Sequence, residues 1–228
     1  MLSNLEKQVG FTFQKEGLYE TAFTHRSHLN EHKKDQAENN ERLEFLGDAI
    51  LEFITTSFLY HKYPLEPEGH LTNLRAALVR KENLAKVARQ LDLGSYLKLG
   101  RGEEGTGGRE KDYLLANTLE ALIGAVYLDQ GLEKAQSVIQ KFVLPQLEVI
   151  VKKKLYKDAK SEFQEIAQEK VSITPEYREI SSSGPDHAKA FVMGAYLGDK
   201  LIAKGKGPSK RMAEEQAAEK ALKKKLID

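Results

Sequence analysis

The sequence contains no cysteine among its 228 residues. This absence excludes disulfide frameworks, thiolate zinc sites and cysteine nucleophiles. A chain of this length needs no disulfides, which fits a reducing compartment, and the predicted location is the cytoplasm. Long apolar runs are missing too, because the longest, such as residues 121–128, are far too short to span a membrane. The first seven residues lack a basic segment followed by an apolar one, so we expect neither a secretion signal nor a membrane partner.

A nucleotide-binding motif is also missing. The segment 100–109 is rich in glycine and therefore predicts a mobile loop. It does not end in the Gly-Lys-Ser/Thr of a phosphate-binding loop, so a nucleotide site is not expected. We expect no small-molecule cofactor.

Charge is plentiful, but its two signs are distributed unevenly. Residues 1–151 hold 18 Lys and Arg against 22 Asp and Glu, a net charge of −4, whereas residues 152–228 hold 17 against 12, a net charge of +5. The change predicts two domains, 1–151 and 159–228, joined by a linker at 152–158. An acidic part joined to a basic part suggests that one holds a polyanion and the other processes it, although chance explains the asymmetry equally well.

Apolar residues recur at helical spacing throughout the first domain. No alternating strand pattern of any length occurs there, so the predicted fold is all-α. The predicted helices are 3–9, 17–22, 38–61, 70–89, 92–99, 112–128 and 131–149.

One predicted helix carries its acidic residues on a single side. At about 100° per residue, the carboxylates form a narrow stripe of Glu41, Glu44, Asp48 and Glu52. The opposing arc is apolar and consists of Leu43, Leu46, Ile50, Phe53 and Ile54. Like charges at these spacings destabilise a helix, and a bound divalent cation would reverse that penalty. A solvated acidic face without a ligand is the more common explanation of such a stripe.

Two polar residues interrupt the apolar helix 112–128. Asn117 and Glu120 are three residues apart and lie on one face. Burying them without partners would cost on the order of 1–3 kcal/mol, and a metal ion, an arginine or a backbone group are candidate partners. Glu68, where helix 70–89 begins, is a further acidic position, although acidic residues are common at helix starts for dipole reasons alone.

The second domain has an α-β-β-β-α pattern, which predicts a small α+β fold. A helix over 159–169 precedes three strand-like runs, and the last helix begins near Ser209. The runs are Glu176–Ser181, Lys189–Leu197 and Lys200–Gly205. Lys210 and Arg211 oppose the dipole at the start of the last helix, so an anion such as phosphate is a candidate partner. Ordinary surface lysine is the alternative.

Asn40–Ala49 reads NERLEFLGDA, and this segment closely resembles the signature of bacterial ribonuclease III. Other segments of the first domain resemble the same family, namely His25–Ser27, Pro67–Gly69, Leu74–Val79 and Leu115–Gly124. The tail resembles a double-stranded-RNA-binding domain in its residues 160–165, 184–187 and 205–214. The resemblance covers nearly the whole chain and implies an all-helical endonuclease domain that works as a homodimer.

The resemblance also implies roles for individual residues. The implied catalytic residues are Asp48, Glu120, Glu44, Glu41 and Glu68. The implied metal ligands are Glu44, Asp48, Asn117 and Glu120. The implied RNA contacts are Ser161, Gln164, Glu165, Gln168, His187, Lys206, Ser209, Lys210 and Arg211. Phe45 matches an apolar residue of the dimer contact.

The implied activity is Mg²⁺-dependent hydrolysis of double-stranded RNA, with Mn²⁺ as a substitute metal. The products would carry 5′-phosphate and 3′-hydroxyl ends, and the implied role is the processing of ribosomal and messenger RNA precursors. One departure concerns Asn117, where the family usually has Asp, because an amide oxygen can bind Mg²⁺ but brings no negative charge. The alternative is therefore a non-catalytic double-stranded-RNA-binding protein with a weakened metal site at Asn117.

Overall fold

A computed structural model describes residues 2–31, 38–156, 159–185 and 189–224 of the chain. The chain divides into two compact units, Met1–Tyr156 and Lys157–Asp228, so the first unit includes part of the segment predicted as a linker. Within the described ranges, no helix combines the length and the apolar character needed to cross a bilayer.

The first unit is built from helices. They are α1 (Ser3–Val9), α2 (Glu16–Ala22), α3 (Arg26–Glu31), α4 (Glu41–Lys62), α5 (Glu68–Val79), α6 (Lys81–Gln90), α7 (Leu93–Tyr96), α8 (Arg101–Gly105), α9 (Asp112–Gln130), α10 (Leu132–Val138) and α11 (Gln146–Lys152). A 3₁₀ turn at Gly108–Glu110 precedes α9, and a π-helical turn at Ile139–Val143 follows α10. The all-α prediction for this unit is confirmed.

Helix α9 lies at the centre of the first unit because its sequence is apolar on nearly every side. Leu119, Leu122 and Ile123 are completely buried, as expected for a helix that has no polar face. Helices α4 and α6 pack along α9. The polar groups Asn117 and Glu120 are therefore carried by the most buried helix of the unit, where each is only half-buried.

Two glycines allow α4 and α9 to cross with their backbones in contact. A Cβ atom at Gly47 would overlap the carbonyl oxygen of Glu120, and a Cβ atom at Gly124 would overlap the carbonyl oxygen of Leu43. Any larger residue at either position would force the helices apart. The crossing therefore fixes the acidic first turns of α4 beside Glu120.

The predicted helix 70–89 is two helices in the structure. Arg80 has an extended conformation, with ψ of 148°, and separates α5 from α6. The buried side chain of Asn83 donates from Nδ2 to the carbonyl oxygen of Leu78 at 2.7 Å, which satisfies an acceptor at the end of α5. Periodicity missed the break because the apolar spacing continues across the corner. The single helix predicted over 131–149 was also wrong, because the π-helical turn separates α10 from α11.

The glycine-rich segment 100–109 is only partly a loop, because α8 and the 3₁₀ turn occupy most of it. Arg109 donates from Nη1 to the carbonyl oxygens of Gly94 and Leu97, each at 2.8 Å. Its Nε also pairs with Glu104 at 2.6 Å. The prediction of a mobile loop was based on the glycine content and did not consider the bonds that Arg109 forms.

The second unit packs two helices on one face of a three-stranded antiparallel sheet. Its elements are α12 (Ala159–Val171), β1 (Glu176–Ser183), β2 (Ala190–Leu197), β3 (Lys200–Gly207) and α13 (Lys210–Lys223). The strand order is β1-β2-β3. Phe163 of α12 is the largest buried side chain of the small core, which Ala195, Ile202 and Ala217 share. The α-β-β-β-α prediction is confirmed.

We expect Gly124→Ala to destabilise the protein by roughly 2–3 kcal/mol, because the added methyl group meets rigid backbone of α4. Gly69→Ala is the matched control, since a Cβ atom there has nothing within 4 Å. Urea denaturation of both variants measures the difference. Equal stabilities of the two variants would contradict the close crossing.

Candidate active site and RNA-binding surface

The four predicted metal ligands come together where α4 crosses α9. Glu44 and Asp48 lie one turn apart on α4, and Asn117 and Glu120 lie one turn apart on α9. Glu120 interacts electrostatically with both acidic residues of α4. Asn117 forms a side-chain hydrogen bond with Glu44. The structure thus unites residues that are about 70 positions apart in the sequence.

Each carboxyl group of this cluster holds its proton more tightly than usual. Burial, and then the charges of Asp48 and Glu44, raise the pKa of Glu120 to about 8. Burial also raises the pKa of Glu44, against a hydrogen bond from Asn117 that lowers it. The pKa of Asp48 is raised by burial and by the charge of Glu52. The other groups of the protein therefore compensate the negative charges of this cluster only in part.

Lys81 is a member of the site that the sequence did not reveal. It is the first residue of α6, and its positive charge lowers the pKa values of both Glu44 and Glu120. The predicted continuous helix 70–89 concealed it, since only the corner at Arg80 makes Lys81 the start of a helix. No local sequence signal marks it.

The other two predicted acidic residues differ in their placement. Glu41 acts on Glu44 electrostatically and pairs with Arg26 at 3.4 Å, so it lies at the edge of the cluster. Glu68 begins α5 and accepts a hydrogen bond from Thr72 at 2.9 Å. Glu68 lines a different cavity, together with Thr72 and Arg75, and it is not among the groups that shift the pKa values of the cluster.

The donor chemistry of the cluster fits a hard divalent cation, because it offers three carboxylates and one amide. Burial and the nearby charges of Asp48 and Glu44 disfavour the ionised form of Glu120, and a bound cation would favour it. As the side chains stand, however, the described part of the chain has no group of three His, Asp or Glu side chains arranged to hold a metal ion. Binding would require the carboxylates to reorient.

The predicted RNA contacts of α12 share one exposed side of that helix. They are Ser161, Gln164, Glu165 and Gln168. Phe163 and Ala167 are buried on the opposite side, which fixes how the helix is rotated. The polar residues therefore face solvent as a set.

A cleft of about 550 Å³ joins this side of α12 to the start of α13. Ser161 and Gln164 line it together with Arg211. Ser209 caps α13 by accepting a hydrogen bond from the backbone N–H of Met212 at 3.3 Å.

The remaining predicted RNA contacts are distributed around the start of α13. Lys206 is exposed on β3, and Lys210 pairs with Glu179 at 2.8 Å. His187 lies outside the residues that the structure describes.

Phe45 lies beside the carboxylates and is 80% exposed. Phe53, which the periodicity assigned to the apolar arc, is 61% exposed, and Tyr60 is 67% exposed. The apolar arc predicted from the periodicity is therefore not buried at Phe53. These three rings form an aromatic stripe along the outer side of α4.

Known protein families match both units of the chain. A family model described as Ribonuclease-III-like matches residues 15–147, and one described as a double-stranded RNA binding motif matches residues 159–225. The chain is 44% identical over 223 residues to Ribonuclease 3 of Pelotomaculum thermopropionicum, covering 98% of this chain and 92% of that protein. The chain belongs to the ribonuclease III family. The endoribonuclease class that the sequence predicted is thereby confirmed.

Other members of the ribonuclease III family are similarly close. Ribonuclease 3 of Enterococcus faecalis is 43% identical, covering 98% of this chain and 96% of that protein. The solved nuclease domain of ribonuclease III from Campylobacter jejuni is 38% identical, with a TM-score of 0.58, and covers 63% of this chain and 96% of that chain. For that domain, structural flexibility is described in the region involved in dimer formation.

We expect Glu120→Gln to stabilise the metal-free protein at pH 9, by about 2 kcal/mol, and to change little at pH 5. The native state keeps a proton on Glu120 up to about pH 8, whereas an unfolded chain releases it near pH 4.5. The contribution of Glu120 to the stability of the unaltered protein therefore falls as the pH rises between these values.

Urea denaturation in EDTA at both pH values measures this difference. Glu133→Gln, at an exposed position of α10, controls for the loss of a surface charge. A constant difference between Glu120→Gln and the unaltered protein at pH 5 and pH 9 would contradict the shifted pKa.

Proposed function

We propose that this ribonuclease III hydrolyses phosphodiester bonds of double-stranded RNA with Mg²⁺, for which Mn²⁺ can substitute, and leaves 5′-phosphate and 3′-hydroxyl ends. The convergence of Glu44, Asp48 and Glu120 at one helix crossing carries this proposal. The basic second unit, with its match to an RNA-binding motif, supports duplex RNA as the substrate. Processing of ribosomal and messenger RNA precursors in the cytoplasm is the proposed role.

The carboxylates of Glu44, Asp48 and Glu120 would hold the cation, with the amide oxygen of Asn117 as an additional ligand. A cation bound there supplies Lewis-acid activation of a water nucleophile and neutralises charge on the leaving oxygen. The protein contributes positions that are fixed by the close crossing of α4 and α9. Lys81 limits the repulsion among the carboxylates, and Glu41 adds negative charge at the edge of the cluster.

The second unit would hold the duplex by its shape. A-form RNA presents 2′-hydroxyl groups in a wide, shallow minor groove. The exposed polar side of α12 supplies donors and acceptors for such groups, and Lys206, Lys210 and Arg211 supply positive charge for phosphates. Binding should consequently weaken steeply as salt is added.

A protein that only holds RNA is the second candidate, and it rests on Asn117. This alternative is not favoured. Glu44, Asp48 and Glu120 repel one another at the crossing, and RNA binding by the second unit does not require such a cluster. Catalysis by a cation explains why the repulsion is retained.

Cleavage of a labelled RNA duplex tests the proposal. We expect cleavage with Mg²⁺ and none with EDTA, and we expect Glu120→Gln to lower the rate at least about a hundredfold while duplex binding persists. Asn117→Asp should lower the Mg²⁺ concentration needed for half-maximal rate, because it adds a negative ligand. Intact RNA after long incubation with both the unaltered protein and Asn117→Asp would favour the non-catalytic alternative.

We also propose that the protein acts as a homodimer through the aromatic stripe of α4. Large exposed aromatic residues on one helix side are typical of protein interfaces. A two-fold dimer would provide one catalytic cluster for each RNA strand.

We expect Phe45→Glu to shift the protein from dimer to monomer, because a charge would have to be buried in the interface. Leu65→Glu is the control, since Leu65 is 96% exposed and lies outside the stripe. Analytical ultracentrifugation across a concentration series measures both variants. A dimer unaffected by Phe45→Glu would contradict the assignment of this surface.

A further inference from the structure

One of the cations that are proposed to bind RNA already pairs with a carboxylate of the protein. Glu179 of β1 and Lys210 of α13 form an ion pair, with Oε2 and Nζ 2.8 Å apart. Hydrogen bonding to Lys210 lowers the pKa of Glu179, and the same contact raises the pKa of Lys210. The anion that the sequence led us to expect at this helix start is therefore supplied by the protein itself.

The pair is held by its surroundings. Helix α13 packs closely on β3, where a Cβ atom at Gly205 would overlap the carbonyl oxygen of Ala213. The ammonium of Lys210 also lies 5.9 Å from the centre of the Phe191 ring. On the other side, Glu179 accepts a second hydrogen bond from Ser182 and lies in the field of Lys189. Each partner thus has an additional contact that keeps it near the other.

We propose that Glu179 is an internal competitor for Lys210, which weakens duplex RNA binding and reduces its dependence on salt. The inference rests on the proposed function, in which Lys210 contacts RNA phosphates. A phosphate that reaches Lys210 must share or replace the carboxylate, and it also meets the negative charge of Glu179. Since Lys210 is already paired in the free protein, fewer counterions are released when RNA binds.

The expected effect is moderate because the pair is accessible to solvent. Exposed ion pairs contribute little to stability, so a phosphate can displace the carboxylate without a large penalty. We expect Glu179→Gln to tighten duplex binding roughly twofold to fivefold. The slope of log affinity against log salt should become steeper by up to about one, as for one added phosphate contact.

Fluorescence anisotropy of a labelled RNA duplex with the full chain in EDTA tests the inference over a salt series. The matched control is Glu176→Gln, which removes the same charge from the same strand. Glu176 pairs with Arg178 at 2.8 Å, the same distance as in the pair of Glu179. We expect the control to bind RNA less tightly than Glu179→Gln. In a Lys210→Gln background, Glu179→Gln should lose most of its effect.

The possible results separate the two proposals. If the unaltered protein binds the duplex in a salt-dependent way and Glu179→Gln is unchanged, weaker, or equal to Glu176→Gln, the competitor role is wrong and the RNA-binding function stands. If Glu179→Gln keeps its full gain in the Lys210→Gln background, the gain does not act through Lys210, and the inference is overturned. If the unaltered protein does not bind duplex RNA, the proposed function itself fails and the inference with it.

Discussion

The contact between the backbones of α4 and α9 is the constraint on which the catalytic unit depends. Gly47 and Gly124 remove the side chains that would separate these helices, so that main-chain atoms touch. At this short distance the carboxylates carried by the two helices interact with one another. The buried apolar surface of α9 holds this arrangement, because it packs against α4 and α6 over most of its length.

Ionised carboxylates in the cluster destabilise the fold that positions them. Burial, and then the charges of Asp48 and Glu44, raise the pKa of Glu120, so the cluster lowers stability whenever Glu120 is ionised. Lys81 offsets part of this repulsion, and Asn117 replaces one further charge with an amide that hydrogen-bonds Glu44. Such a local conflict between stability and charge is typical of a functional site.

The RNA-binding unit differs from the catalytic unit, since several of its exposed cations already pair with carboxylates of the same unit. Lys210 with Glu179, Lys160 with Glu214 and Arg178 with Glu176 all form ion pairs within the unit. A count of lysines and arginines therefore overstates the number of cations that are free to meet phosphate. The affinity for a polyanion then depends on how easily its phosphates replace these carboxylates, as well as on the attraction between opposite charges.

The sequence by itself determined the all-α and α-β-β-β-α patterns, because helix and strand periods are local properties of the chain. It also marked Glu44, Asp48 and Glu120, through the unusual stripe on α4 and the polar interruption of α9. Only the tertiary structure decided the corner at Arg80, the exposure of Phe53 and the presence of Lys81 beside the carboxylates. Those features depend on which helix lies against which, and periodicity along a single helix contains no such information.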